Sequence, residues 1–436
     1  MRNYPRWVAP AAQFAADAWG VLKFIAALVV SPVAIVAVVW RAAQNHALAK
    51  LRVRAFPAQL AAIEAGIDPL PPADRVQRLS ADLDLLITSD LHRCFPGRRD
   101  WLERQDIKDL YAAVLDVATA DGRHVVENGD IDDFWMVGGS PYGQWYDAAR
   151  LVSHFIPGRT GLELRRAVYR RHVRAIVANH PASYKRLQLL AEAGRYHRTV
   201  GNHDDVYLDR AVADHLGELV GGVELVDVIV LENRAGDAVA FITHGHQTDG
   251  WNAPGRAHLG QLATWAGNML SDTPGLEAPD TVPERGLTLA FLRGHLPNQL
   301  LRVSKRFGTN SKYDSLDEEL LFDAFGGAAE HGPWIILGHT HLPVLQPMSR
   351  SGVPWTRYAN SGNGIWDGMI TALEWDGAST DGVPTPRLVA WLWADTDDLD
   401  ELVTNADVVT HHGGRPVARI EFERTPDGKH LRPVRR

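Results

Sequence analysis

The stretch Leu83-Asp84-Leu85-Leu86-Ile87-Thr88-Ser89-Asp90-Leu91-His92 joins a short apolar run to a pair of polar side chains. The apolar run predicts a buried strand. Asp90 and His92 then lie at its carboxyl end, which is where open α/β sheets place their chemistry. Residues two apart on an extended strand end point to the same side, so both side chains could reach one metal.

The same arrangement occurs four more times along the chain. The further strands are predicted at residues 124–127, 195–200, 239–243 and 334–337, and they lead into Gly129-Asp130-Ile131-Asp132-Asp133, Gly201-Asn202-His203-Asp204, His244-Gly245-His246 and Gly338-His339-Thr340-His341. These strand ends deliver carboxylates, imidazoles and an amide carbonyl, which suit two divalent metals. A two-metal site is a common device for in-line attack on phosphorus. We therefore predict an α/β fold with a dinuclear metal centre.

Individual residues suit particular positions in such a centre. Asp130 follows a glycine, which lets the backbone turn sharply, and its two carboxylate oxygens could bridge two ions. Asn202 offers a neutral carbonyl oxygen, and His244 offers an imidazole. His339 and His341 stand two apart and could serve one metal each.

The order and spacing of these blocks resemble the calcineurin-like metallophosphoesterase superfamily, whose signature runs DxH, GDxxD, GNHD or GNHE, a lone His-Gly, and GHxH. All five blocks are intact here and span residues 90–341, so the resemblance covers most of the chain but not residues 1–80. It implies a four-layer α/β/β/α sandwich. We accordingly expect a metallophosphoesterase domain over residues 81–436.

The resemblance also implies a ligand set, residue by residue. One metal is bound by Asp90, His92 and His341, the second by Asn202, His244 and His339, and both by the bridging Asp130. The implied cofactors are two divalent metal ions drawn from Mn, Fe, Zn, Mg and Ni, and the ligand set does not choose among them. A metal-bridging hydroxide would attack phosphorus, because two ions lower its pKa.

Two further residues have catalytic roles implied by the resemblance. His203 would face the phosphoryl group and protonate the leaving oxygen, and Asp133 would orient and charge His203. Two alternatives stay open: Asp132 could replace Asp133, and His246 could replace His244. Structural roles are expected for Asp204, His124, His154, His172, His180, His197 and His215.

The N-terminal segment, residues 1–80, is predicted to hold an apolar helix and a proline-rich linker. Residues 24–40 carry no charge and are just long enough to span a bilayer core. We favour a signal-anchor helix with membrane association through residues 21–40. The alternatives are a cleaved signal peptide and a buried or oligomer-forming helix of a soluble cytoplasmic protein. A slight excess of Lys and Arg after the run favours a cytoplasmic catalytic domain, and the single cysteine, Cys94, fits a reducing compartment.

Charge and insertions give weaker indications about partners. The net charge of −8 does not suggest a nucleic-acid binder. A basic run in a predicted helix is either a solvated face or a site for phosphate, lipid headgroup or nucleic acid; it contains Arg159, Arg165, Arg166, Arg170, Arg171 and Arg174. Residues 250–330 form a long insertion of mixed apolar and basic character. This helical insertion could be a lid over the metals or a packing subdomain.

The expected function is two-metal-dependent hydrolysis of a phosphate ester or pyrophosphate. Residues 130–135 and 339–343 look like the branch that contains UDP-2,3-diacylglucosamine pyrophosphatase, which suggests a lipid-linked or nucleotide substrate. That branch usually has Arg where this chain has His203, and its members are much shorter. The alternatives are a nuclease or cyclic-nucleotide phosphodiesterase, and a non-catalytic scaffold with the same fold. A scaffold should show broken ligands, and none is broken here.

Overall fold

A computed structural model of the chain describes its residues in nine segments and four single positions. These are residues 75–97, 100–104, 106–137, 141–246, 285–296, 332–348, 354–377, 384–395 and 407–434, with residues 252, 261, 264 and 298. The predicted anchor at residues 21–40 lies outside them. Within the described segments, no helix combines the length and apolar character needed to cross a membrane.

The larger of two sheets runs in the order β13-β14-β12-β11-β2-β3-β4-β5, with β15 paired to β14. Its strands are β2 Leu85–Thr88, β3 His124–Asn128, β4 Tyr196–Thr199, β5 Leu225–Val226, β11 Met369–Trp375, β12 Arg387–Trp393, β13 Asp407–His412, β14 Arg415–Arg424 and β15 Leu431–Pro433. Strands β2 to β5 are parallel, and β11 joins β2 in antiparallel register. The parallel half therefore brings the carboxyl ends of β2, β3 and β4 to one edge.

The smaller sheet runs in the order β1-β6-β7-β8-β10-β9. Its strands are β1 Val76–Ser80, β6 Val228–Glu232, β7 Ala238–Ile242, β8 Trp334–Leu337, β9 Val344–Leu345 and β10 Tyr358–Asn360. Strands β7 and β8 are parallel, so their carboxyl ends also lie together. The smaller sheet includes residues that precede position 81, the predicted start of the domain, because β1 pairs with β6. Strand β1 is partly exposed along its length, so no apolar run marks it in the sequence.

The described helices range from 4 to 22 residues in length. They are α1 Trp101–Arg104, α2 Lys108–Ala120, α3 Pro141–Phe155, α4 Gly158–Asn179, α5 Pro181–Glu192, α6 Arg210–Val220 and α7 Arg285–Leu292, with a 3₁₀ turn at Asp205–Leu208. Helices α2 to α6 share one apolar cluster with a face of the larger sheet. Helix α7 lies within the predicted lid, yet Phe291 stacks on Phe422 of β14 and is buried. This part of the insertion is packed core; most of residues 250–330 lies outside the described segments.

Alternation along the strands explains how the layers pack. In β2, Leu86 belongs to the cluster beneath the helices, whereas Ile87 belongs to a second cluster that also contains Ile242 of β7 and Ile336 of β8. Successive strand residues point to opposite faces, so the larger sheet is buried on both sides. Central strands such as β2 and β12 accordingly read as nearly continuous apolar runs. The molecule is a mixed α/β fold, as predicted, with two sheets that share a core.

Candidate metal centre

The five polar motifs meet where the carboxyl ends of β2, β3, β4, β7 and β8 come together. The N–H of Asp90 donates to Gly129 O (3.1 Å), and the N–H of Gly338 donates to His244 O (3.0 Å). The carboxylates accept as well: Asp130 Oδ1 accepts from the N–H of His203 (2.7 Å), and Asp90 Oδ2 accepts from the N–H of His339 (3.0 Å). Backbone donors of one motif thus hold the carboxylates of another. The site is fixed by bonds between motifs that are far apart in sequence.

The four residues predicted for the first metal form one group. Asp90, His92, Asp130 and His341 place ligand atoms within 4.8 Å of one another. The Nε2 atom of His341 lies 3.2 Å from Oδ1 of Asp90 and 3.2 Å from Nε2 of His92. Carboxylate and imidazole groups at this spacing could hold a metal ion.

A second group contains Asp130 again, together with His244 and His339. The Nε2 atom of His244 lies 3.1 Å from Oδ2 of Asp130. Asn202 is buried, and its side-chain oxygen has no hydrogen-bond partner in the described part of the chain. A buried carbonyl oxygen without a partner costs free energy, which a bound cation would remove. The donor set therefore fits a divalent ion.

Five predicted ligands adopt an unusual backbone conformation. The φ angles are 53° at Asp90, 49° at His92, 52° at Asp130, 68° at His339 and 57° at His341. A left-handed conformation costs a residue other than glycine roughly 1–3 kcal/mol and is concentrated at functional sites. The prediction that Asp90 and His92 sit on an extended strand end is wrong, because β2 ends at Thr88 and the backbone turns there.

Hydrogen bonds select which nitrogen of each histidine points at the site. The Nδ1 atom of His244 lies 3.0 Å from the carbonyl oxygen of Asn128, which can only accept. The proton is therefore on Nδ1, and Nε2 is left as the ligand atom. The Nδ1 atom of His92 lies 2.9 Å from Oδ2 of Asp133 in the same way. Both hydrogen bonds thus leave Nε2 of the ring facing the site.

Asp133 contacts the predicted acid, His203, at 3.1 Å between Oδ2 and Nδ1. Its other oxygen accepts from the N–H groups of Trp135 (2.8 Å) and Met136 (2.7 Å), so the carboxylate cannot rotate. The ring of Trp135 lies against His203 with centroids 4.3 Å apart. Burial lowers the pKa of His203, but the carboxylates of Asp133 and Asp130 outweigh it and raise that pKa to about 9. His203 therefore carries a proton at neutral pH.

The geometry does not favour the two alternatives that the sequence left open. Asp132 does not contact His203; it accepts from the hydroxyls of Tyr184 (2.5 Å) and Tyr207 (2.7 Å) and pairs with Arg198 (2.9 Å). His246 is buried near His244, with ring centroids 5.3 Å apart, but it belongs to none of the three candidate metal-binding groups found among the described residues. The residues that the resemblance favoured, Asp133 and His244, are the ones that lie at the site.

A buried ionic network beneath the site was missed at the sequence level. Arg93 donates to Glu127 (2.8 Å) and Asp132 (3.2 Å), and all three side chains are buried. Arg198 pairs with Asp132 and with Asp204, which also accepts from the N–H of Gly201 (2.6 Å). The structural role expected for Asp204 is thereby confirmed. An arginine inside a predicted buried strand, as at Arg198, is the signal that could have indicated the network, since a buried charge needs partners.

A second missed element is the turn that follows β10. The side-chain amide of Asn360 donates to Gly338 O (2.7 Å), and that of Asn363 donates to His341 O (2.6 Å). The side-chain oxygen of Asn363 in turn accepts from the N–H of Ile365 (2.9 Å). These asparagines hold the backbone of the last motif in place. The sequence Asn360-Ser361-Gly362-Asn363-Gly364 is turn-forming, but only the fold shows what it supports.

Comparison with known proteins gives no assignment. No protein-family model matches the chain, and no curated protein matches it. Function must therefore be argued from the site. Its geometry provides buried Asp and His groups that could hold a metal ion, and beside them a protonated histidine held by a carboxylate.

Proposed function

We propose that this chain is a two-metal phosphoesterase of the calcineurin-like superfamily. The observation that carries the proposal is the position of Asp130, which belongs to two of the three groups that could hold a metal ion; the third group is His92, Asp133 and His203. The first ion would be held by Asp90, His92 and His341, the second by Asn202, His244 and His339, and both by Asp130. A buried carboxylate that lies between two sets of imidazoles is placed to hold two ions close together, as a two-metal site needs.

The packing of the sheets supports the four-layer sandwich of that superfamily. Helices α2 to α6 cover one face of the larger sheet, and its other face packs on the smaller sheet. The outer face of the smaller sheet is also apolar, with Val230, Phe241 and Ile335 in a third cluster. An apolar sheet face must be buried. We propose that a further helical layer covers it.

The chain's own residues would bind the substrate's reacting group and move one proton. Two bound divalent ions would supply charge stabilisation at phosphorus and a nucleophile at neutral pH. His203 carries a proton, and its Nδ1 is engaged by Asp133, so Nε2 is the atom that would donate to the leaving oxygen. Asp133 keeps the ring oriented and stabilises its charged form. Trp135 restricts the ring on its other side.

The proposal is tested by metal-dependent turnover of the full chain. The protein is stripped with chelator and resupplied with Mn, Mg, Zn or Ni separately, and hydrolysis of p-nitrophenyl phosphate and bis-p-nitrophenyl phosphate is followed. We expect turnover only with metal, and a loss of roughly 100-fold or more in Asp90→Asn, since metal ligands act as a unit. The exposed His411→Ala on β13 is the matched control and should be unaffected.

Two results would contradict the proposal. Turnover that survives chelation would exclude a metal-dependent reaction. Absence of turnover on phosphomonoesters, phosphodiesters and pyrophosphates, although two ions bind, would favour the non-catalytic scaffold. The ester preferred in the panel would distinguish a pyrophosphatase from a diesterase, and the lipid-linked or nucleotide substrate remains a prediction until then.

A further inference from the structure

Helix α3 carries apolar side chains on its outer face. Leu151 is 47% exposed, Val152 53% and Phe155 80%, with Trp145 at 39%. Its inner face is also apolar, because Tyr146 is buried in the core cluster and Tyr142 and Ala149 pack against that cluster. The helix is therefore apolar on two faces, whereas an ordinary surface helix turns a single apolar stripe toward the core.

The exposed apolar residues form one continuous stripe. Trp145, Val152 and Phe155 are spaced at i, i+7 and i+10, and Leu151 lies beside them, so all four occupy about a third of the helix circumference. The first turn of α3 packs on the segment that follows the first motif, because the ring centroids of Tyr142 and Phe95 lie 4.9 Å apart. We call Trp145, Leu151, Val152 and Phe155 the α3 stripe.

The two helices α3 and α4 together carry a positive net charge, although Arg150 pairs with Asp147 and Arg166 pairs with Glu163 and Asp209. Residues 141–179, which contain α3 and α4, hold seven arginines (Arg150, Arg159, Arg165, Arg166, Arg170, Arg171 and Arg174) and two acids (Asp147 and Glu163), a net charge of +5 from 7 − 2. The whole chain has a net charge of −8, so positive charge is concentrated here. The guanidinium of Arg171 lies over the ring of Trp145 at 4.4 Å, which places a cation at the edge of the stripe.

We infer that the α3 stripe is a docking surface for an anionic membrane. Positive charge alone would also suit nucleic acid, but a phosphate backbone gives no reason to expose Leu151, Val152 and Phe155. A bilayer interface offers both an anionic headgroup layer and an apolar layer, and it takes up Trp and Phe readily. The uncharged run at residues 24–40 of the same chain is consistent with work at a membrane. The inference does not depend on the phosphoesterase activity.

The test reports contact of the stripe itself, so that an anchor elsewhere in the chain cannot imitate it. Phe155→Cys is made in the full chain and labelled with an environment-sensitive nitrobenzoxadiazole; Cys94 is buried, so the introduced thiol is the reactive one. Lys185→Cys, on an exposed position of α5, is the matched control. Labelled protein is mixed with phosphatidylcholine vesicles with or without phosphatidylglycerol, and then with brominated lipid.

We expect the label at residue 155 to shift to shorter wavelength and to lose most of its emission to brominated lipid, only when phosphatidylglycerol is present. The label at residue 185 should stay in water. The inference is overturned if the residue 155 label stays in water while the protein is bound to vesicles, or if no vesicles are bound. A shift that appears without vesicles and grows with protein concentration would overturn it in favour of a second copy of the chain. Val152→Cys repeats the measurement at a second position.

Discussion

At the scale of single residues, one carboxylate oxygen of Asp133 serves two histidines. Its Oδ2 lies 2.9 Å from Nδ1 of His92 and 3.1 Å from Nδ1 of His203. His92 is a candidate metal ligand and His203 the candidate acid, so Asp133 links the two parts of the proposed chemistry. The sequence indicated the contact with His203 only. Its bond to His92 depends on the left-handed turn after β2, which the motif does not reveal.

The proposed role of His203 predicts a dependence on the leaving group. In His203→Ala, hydrolysis of an alkyl phosphate should fall by about 10²–10⁴, because a poor leaving group needs a proton. Hydrolysis of p-nitrophenyl phosphate should fall far less, because nitrophenolate leaves unaided. Both rates are measured at saturating metal, with metal content checked in the same samples. Equal losses on the two esters would contradict the role as acid, and a loss of bound metal would indicate a structural role.

At the scale of secondary-structure elements, the reliable sequence signal was the short apolar run followed by a polar motif. Strands β2, β3, β4, β7 and β8 all occur within two residues of their predicted bounds. Strands β2, β7 and β8 are mainly apolar, whereas β3 and β4 also carry buried polar side chains such as Glu127 and Arg198. Strand β1 was missed because its residues are partly exposed. Which residue of each motif turns into the site is decided by tertiary contacts, as the unused Asp132 and His246 show.

Close contact between two strand ends predicts an effect at Gly201. A methyl group there would overlap the Oδ1 and backbone nitrogen of Asp130, so Gly201→Ala must displace the carboxylate shared by both metal groups. We expect metal affinity to fall by roughly 10–100-fold, as when a ligand loses its support. The matched control is Gly217→Ala in α6, where an added methyl meets ordinary contact at 3.6 Å. Isothermal titration with Mn compares the two, and equal affinities would contradict the shared role of Asp130.

Packing of α3 on α4 predicts a pH dependence of stability. Burial lowers the pKa of His172 to about 4 from its ordinary 6.5. The folded state therefore favours the neutral ring, and its stabilisation is complete above pH 6.5 and is lost as pH falls toward 4. The loss from this residue should be roughly 3 kcal/mol in the free energy of unfolding.

The measurement is urea unfolding of metal-free protein at several pH values between 7 and 4. In His172→Gln the free energy of unfolding should fall less steeply with decreasing pH than in the parent chain. The slope should be smaller by about the amount that the uptake of one proton contributes. The exposed His411→Gln should keep the parent slope. An unchanged slope in His172→Gln would mean that another group is responsible for the pH dependence.

At the scale of the whole molecule, the site exists because two sheets share a core. Strands β2, β3 and β4 of the larger sheet and β7 and β8 of the smaller one bring their carboxyl ends together. The sequence predicted the strand ends but not the pairing of β11 with β2, which joins residues nearly three hundred positions apart. Such pairings depend on the summed packing of distant elements. The basic helices α3 and α4 give the molecule a charge asymmetry that the total of −8 conceals.

The most direct test of the central claim counts the ions bound by the intact chain. Native mass spectrometry after chelation and titration with Mn should show two ions per chain. His92→Ala and His244→Ala should each retain one ion, because they belong to different groups that share Asp130. His411→Ala should bind two. A parent chain that saturates at one ion or none, or variants that both still bind two, would contradict a dinuclear centre built from these five motifs.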